Sequence, residues 1–183
     1  MHPMATEQVV AVKNPIIEAL ERSDADRRPG RADRIRWSSH YALDGAIMGP
    51  VEALALLREA RDCFVDGHYV ATLMLATAII EHVISEELVS ANAAKYGIAF
   101  ESAIKLARGK QLFPPELLDI ADRLRLLRNP FAHRKPDEHE HTLGNRYTAQ
   151  QRHPLLIAEE DARAALVAMY THIKVAYFVP DGK

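Results

Sequence analysis

Arg128 and His133 stand five residues apart in the run Leu124-Arg125-Leu126-Leu127-Arg128-Asn129-Pro130-Phe131-Ala132-His133. A guanidinium keeps its charge at any physiological pH, and an imidazole gives or takes a proton near neutrality. Held together, the two can neutralise a phosphodiester and move protons on it. Five residues of ideal helix turn about 500°, which leaves the two positions about 140° apart around the axis. They converge only if the helix does not run straight. Pro130 lacks an amide proton and crowds the carbonyl four residues back, so a bend or restart is predicted there, with Asn129 capping the new turn. The surroundings are basic: Arg123, Arg125, Arg128, Arg134 and Lys135 follow one another with no acid between positions 123 and 135. That concentration makes a candidate phosphate-contact patch. A solvated helix face ending in a capping turn accounts for the same residues without any chemistry.

A second cluster, Asp137-Glu138-His139-Glu140-His141 with His153 further on, holds ligand types suited to a transition metal. Nothing in the sequence fixes a third ligand, and a polar loop is the simpler account, so no metal and no cofactor are expected. Gly-rich phosphate loops, G-x-S-x-G, H-E-x-x-H and paired C-x-x-C motifs are absent. Cys63, the one cysteine, falls on an apolar stripe and reads as a small core residue rather than a nucleophile.

These groups need elements to hold them. The chain has 183 residues, 48% of them hydrophobic and 26% charged, with a net charge of −2. That suits one globular domain and excludes a disordered, collagen-like or disulfide-framework chain. Near-neutral charge also excludes wholesale electrostatic binding to nucleic acid, leaving only a local patch. A lone cysteine points to a reducing compartment. The first residues show no basic-then-apolar leader pattern, and the longest nearly apolar run, 69–80, is shorter than a bilayer span of roughly 18–20 residues. A cytoplasmic location without membrane contact is the expectation.

Residues 1–49 read as an N-terminal arm packed on the body. Asn14-Pro15 opens a short helix to Arg22, and the mixed-charge stretch from Ser23 to Arg31, containing Pro29-Gly30, reads as an exposed connection. Trp37, Tyr41, Leu43, Ile47 and Met48 are the anchors. The segment Val9-Val10-Ala11-Val12 is short and ambiguous between strand and helix. From Pro50 the period is helical. Ala53, Leu56, Leu57, Ala60, Cys63 and Phe64 form one stripe; after Asp66-Gly67, Val70, Leu73, Thr77, Ile80, Ile84 and Leu88 form a second. A tight Gly turn between them makes an antiparallel hairpin. A third helix covers about Phe100 to Arg108, and Pro114-Pro115 opens a fourth with Leu117, Ile120, Ala121, Leu124 and Leu127 inward. An irregular loop is predicted over about 136–157. The last helix begins at the acids Glu159, Glu160 and Asp161 and buries Ala162, Ala165, Leu166, Met169, Ile173, Ala176 and Tyr177. The fold class is all-α, an up-and-down bundle of four to five helices over 50–179 with an N-terminal extension.

The motif in this helix order resembles the HEPN domain family, helical bundles carrying R-(x)4–6-H with a polar residue, often Asn, after the Arg. The resemblance runs from about Val51 to Phe178. It includes Ala78-Ile79-Ile80-Glu81 in the second bundle helix and Ala158-Glu159-Glu160-Asp161-Ala162 in the last. It implies a homodimer whose motif helices form one composite cleft, and a metal-independent endoribonuclease of a toxin, antiviral or RNA-processing system. The alternative it implies is a non-catalytic dimeric module that binds RNA or a protein partner such as an antitoxin. Carried over, Arg128 holds the scissile phosphate, His133 moves protons and Asn129 positions backbone or substrate. Arg125, Arg134 and Lys135 contact RNA. Glu81 and His82 support the cleft; the simpler reading of Glu81 is a structural salt bridge to an arginine of the fourth helix. The family subtype paired with a nucleotidyltransferase antitoxin has a Tyr two residues after the His, where this chain has Lys135.

Overall fold

A computed structural model describes residues 14–41, 43 and 51–177, and all regular structure among them is helical. Val9 to Val12, Ile47 and Met48 lie outside the described residues. The elements are α1 (Pro15–Ser39), α2 (Val51–Asp66), α3 (Tyr69–Ser90), α4 (Phe100–Gly109), α5 (Pro115–Ala132), α6 (Leu143–Gln150) and α7 (Pro154–Tyr177).

α3 is the central rod. Its apolar residues are spread around much of its circumference, and Leu73, Ile79, Ile80, Ile84 and Leu88 are all buried. A helix apolar on so many sides is stable in water only when neighbours cover it, and α2, α4, α5 and α7 do so. By length and composition α3 is also the one described helix that could cross a bilayer; half of that span is buried inside the bundle. Gly67, at φ +84°, makes the turn that returns α2 onto α3, a conformation that disfavours any residue with a Cβ. Phe64, Leu118, Leu124, Leu166 and Met169 complete the core from α2, α5 and α7.

Three expectations need correction. First, α1 does not stop at Arg22 but runs unbroken through Pro29-Gly30 to Ser39. Asn14 caps it, its side chain accepting the Ile16 amide at 2.9 Å. The alternating charges read as a loop instead pair along the helix, as in Arg27–Asp24 at 3.9 Å. The decisive contact is tertiary. Arg34 Nε donates to the Val65 carbonyl at 2.8 Å, satisfying the end of α2, and Arg31 meets Asp66 at 2.9 Å. Gly30 leaves room for that guanidinium, since a Cβ there would lie 3.2 Å from Arg34 Nη1. Trp37, Tyr41 and Leu43 pack on the core as expected. Arg163 lies 4.6 Å from the Trp37 ring centroid, adding a cation–π contact between α1 and α7.

Second, the stretch after Pro136 is not all loop. Thr142 caps α6, accepting the Asn145 amide at 3.3 Å, and α7 begins at Pro154, five residues before Glu159. Third, the inward faces are rotated slightly at three places. Val70, expected inward, is 37% exposed while Tyr69 beside it is buried. Leu118 is buried on α5 while Ile120 is 40% exposed, and Tyr177 ends α7 half-exposed, its hydroxyl donating to Glu86.

His172, which the sequence patterning passes over, is fully buried against Phe113 with Nδ1 2.7 Å from the Ala168 carbonyl. Burial holds its pKa below the ordinary imidazole value. The folded state therefore keeps it neutral while the unfolded chain takes up a proton below about pH 6.5. Stability should fall as pH drops through that value, by up to about 1.4 kcal/mol per pH unit from this group. Urea midpoints between pH 7.5 and 5 measure the slope, and the slope should be shallower in His172→Phe; equal slopes in the two proteins would refute the assignment.

Candidate functional site

The last turns of α5 are anchored by Leu127, which is buried, and Phe131, which packs against the core from a half-buried position. These anchors carry the helix through Pro130, so the predicted restart there does not occur. The break comes three residues later. α5 ends at Ala132, and His133 takes an extended backbone (φ −140°, ψ 124°) with its N–H donating to the Asn129 carbonyl at 2.8 Å. Asn129 thus closes the helix with its backbone rather than opening a new turn with its side chain.

Arg128 therefore sits on the helix, and the exposed His133 just beyond its end on extended backbone. Arg128 turns to α3, where Nη2 donates to Glu81 Oε2 at 3.2 Å. The pair is partly covered, with side chains 21% and 32% exposed. That salt bridge is one of the two sequence readings of Glu81. His82, next on α3, is exposed and shares with Glu81 a cleft of about 370 Å³ that Tyr96, Gly97 and Ile98 close.

The basic patch is weaker than the sequence suggests. Arg125 is bound by Asp122 at 2.8 Å and reaches Glu101 of α4 at 3.6 Å. Arg134 lies 3.7 Å from Asp137, both largely in solvent. The run without acids in sequence is therefore supplied with acids by the turns before and after it and by neighbouring helices. Arg123 and Lys135 have no carboxylate partner among the described residues.

No family model, curated protein or solved structure matches this chain. The assignment of chemistry therefore rests on the residues themselves.

No group of three or more His, Cys, Asp or Glu among the described residues is arranged to hold a metal. His139 and His141 are neighbours, with ring centroids 5.6 Å apart, but their nitrogens serve the turn. His139 Nδ1 accepts the His141 amide at 3.2 Å, and His153 Nδ1 accepts the Leu155 amide at the start of α7. Burial, then the nearby carboxylates Glu59, Asp62 and Asp66, raise the Cys63 thiol above its ordinary pKa. A thiol so placed is a poor nucleophile.

Sequence reasoning misses the most buried ion pair among the described residues. Arg146 of α6 grips Asp161 of α7 with both guanidinium nitrogens, Nη1 to Oδ2 at 2.5 Å and Nη2 to Oδ1 at 2.8 Å. The side chains are 12% and 5% exposed. The only sequence signal is an acid at an inward position of α7, adjacent to Ala162.

Proposed function

We propose that this chain is a HEPN-like homodimeric protein that acts on RNA, cleaving it at a site built from Arg128, Asn129 and His133. One observation carries the reading: Glu81 engages a single N–H of Arg128, orienting the guanidinium while leaving donors for a phosphate, beside a helix end that presents His133 to solvent. RNA supplies its own nucleophile. The 2′-oxygen attacks the adjacent phosphorus, losing its proton to a base, and the 5′-oxygen leaves and gains one. The products are a 2′,3′-cyclic phosphate and a free 5′-hydroxyl. His133 is suited to the proton transfers, and Arg128 to the charge that builds on the non-bridging oxygens. Glu81 is a positioning residue, and His82, Arg125, Arg134 and Lys135 lie on the flanks.

Incubation of single-stranded RNA with the protein in EDTA tests this. Cyclic-phosphate ends should appear, and His133→Ala and Arg128→Ala should abolish them. Undiminished cleavage in both variants would assign the activity to a contaminant. A second reading, a non-catalytic dimer that binds RNA or a protein partner, is favoured by the pairing of Arg125, Arg128 and Arg134 with carboxylates. In the same assay it gives intact RNA with no cyclic ends, and a filter-binding experiment then shows whether affinity falls with salt as phosphate contacts require.

A further inference from the structure

On the side of α5 facing α6 and α7 lies a groove of about 830 Å³. That is within the range of small-molecule sites, roughly 300–1,000 Å³. Its floor is apolar: Leu117, Ile120, Leu124 and Leu127 from α5, with Val167 and Ala168 from α7. Ile120 stands 40% exposed over this floor, so the apolar lining is continuous with an uncovered side chain. The rim carries four guanidiniums, from Arg123, Arg146, Arg152 and Arg163.

Three of those cations are matched. Arg146 is held by Asp161, Arg152 by Glu160 at 2.7 Å and Arg163 by Glu159 at 2.7 Å. Arg123, exposed at the groove edge, has no carboxylate partner among the described residues. The site thus offers one unmatched positive charge beside an apolar bed. We infer that the groove between α5, α6 and α7 binds a small amphipathic monocarboxylate, its apolar body on Ile120 and Leu124 and its carboxylate on Arg123.

The charge count selects the ligand class. A single free guanidinium pairs bidentately with one carboxylate. A phosphate dianion would bring a second charge close to Asp161 and Glu160, both of which line the groove. A neutral apolar molecule would leave Arg123 unanswered. The inference is independent of the RNA site, because Arg128 and His133 do not line this groove.

The chain contains one tryptophan, and Trp37 lines the groove, so its indole N–H resonance is a unique reporter of occupancy. The 183-residue protein is titrated with 2-naphthoate by calorimetry and by nitrogen–proton correlation spectra, with neutral 2-naphthylmethanol as the comparison. Saturable one-to-one binding with a shift of the indole peak is expected. Arg123→Gln should weaken it at least tenfold with the melting temperature unchanged, and the alcohol should bind at least tenfold more weakly than the acid. Ile120→Glu should abolish it. The proposal fails if no saturable binding is found, if Arg123→Gln binds as wild type, or if the indole peak stays still during saturation. It fails also if concentration-dependent self-association excludes naphthoate, since the groove would then be covered by a second copy.

Discussion

Arg146→Ala is expected to lower the unfolding free energy by about 3–5 kcal/mol, the cost of leaving a buried carboxylate without its partner. Asp161 is 5% exposed and both its oxygens are committed to Arg146, so removing the guanidinium takes both donors from a largely buried carboxylate. Against a total stability of about 5–15 kcal/mol, that is enough to leave a marginal domain partly unfolded at 37 °C. Arg152→Ala is the control. It removes an ion pair of similar length, Arg152–Glu160 at 2.7 Å, whose side chains are about half exposed or more. Such surface pairs contribute about 0–1 kcal/mol. The double replacement Arg146→Met, Asp161→Leu should recover most of the loss, because it removes the buried charge together with its partner. Urea denaturation of the four proteins measures all of this. A small effect of Arg146→Ala, comparable with that of Arg152→Ala, would mean that α6 detaches at little cost and that the pair does not hold it.

The contrast between α6 and α3 shows what is legible in the sequence. α3 is readable because burial dominates it: Leu73, Thr77, Ile80, Ile84 and Leu88 repeat at helical spacing, with a small threonine the one polar member of the stripe. α6 has no buried residue at all, and it is held by a capping threonine and one buried charge pair whose second member lies fifteen residues away. No periodicity records such a contact. α1 defeats a local reading for a related reason. Pro29-Gly30 is locally a turn, but the contacts of Arg34 with Val65 and Arg31 with Asp66 form only once α2 is in place, and they favour the helix. At the candidate site the residue types and the α3–α5 contact are visible, because Glu81 and Arg128 both fall near apolar stripes of their helices. The continuity of α5 through Pro130 is not. It follows from Leu127 and Phe131 being held by the core on either side of the proline, against the loss of the N–H bond to the Leu126 carbonyl.

That continuity has a consequence for catalysis. If Arg128 and His133 diverge within one chain, a symmetric dimer can bring Arg128 of one protomer and His133 of its partner to the same phosphate. His133→Ala is expected to reduce RNA cleavage by about 10²–10⁴, the usual worth of positioned proton transfer. Arg128→Ala should cost about 10²–10³, as does loss of a donor aimed at developing negative charge. Arg128→Lys should not rescue it fully, since a point charge cannot serve Glu81 and a phosphate with one planar fork. Mixing the two inactive variants separates the arrangements. With subunit exchange, about half of the dimers are mixed, and each mixed dimer has one site with both groups intact if the pair forms across the two-fold axis. Activity should then return to about a quarter of wild type. If both groups must come from the same chain, no mixed dimer contains an intact site and the mixture stays inactive. A silent mixture with confirmed exchange would overturn the shared-site geometry while leaving the single-variant losses to stand or fall separately. Equal cleavage by wild type and His133→Ala would remove the imidazole from the chemistry altogether.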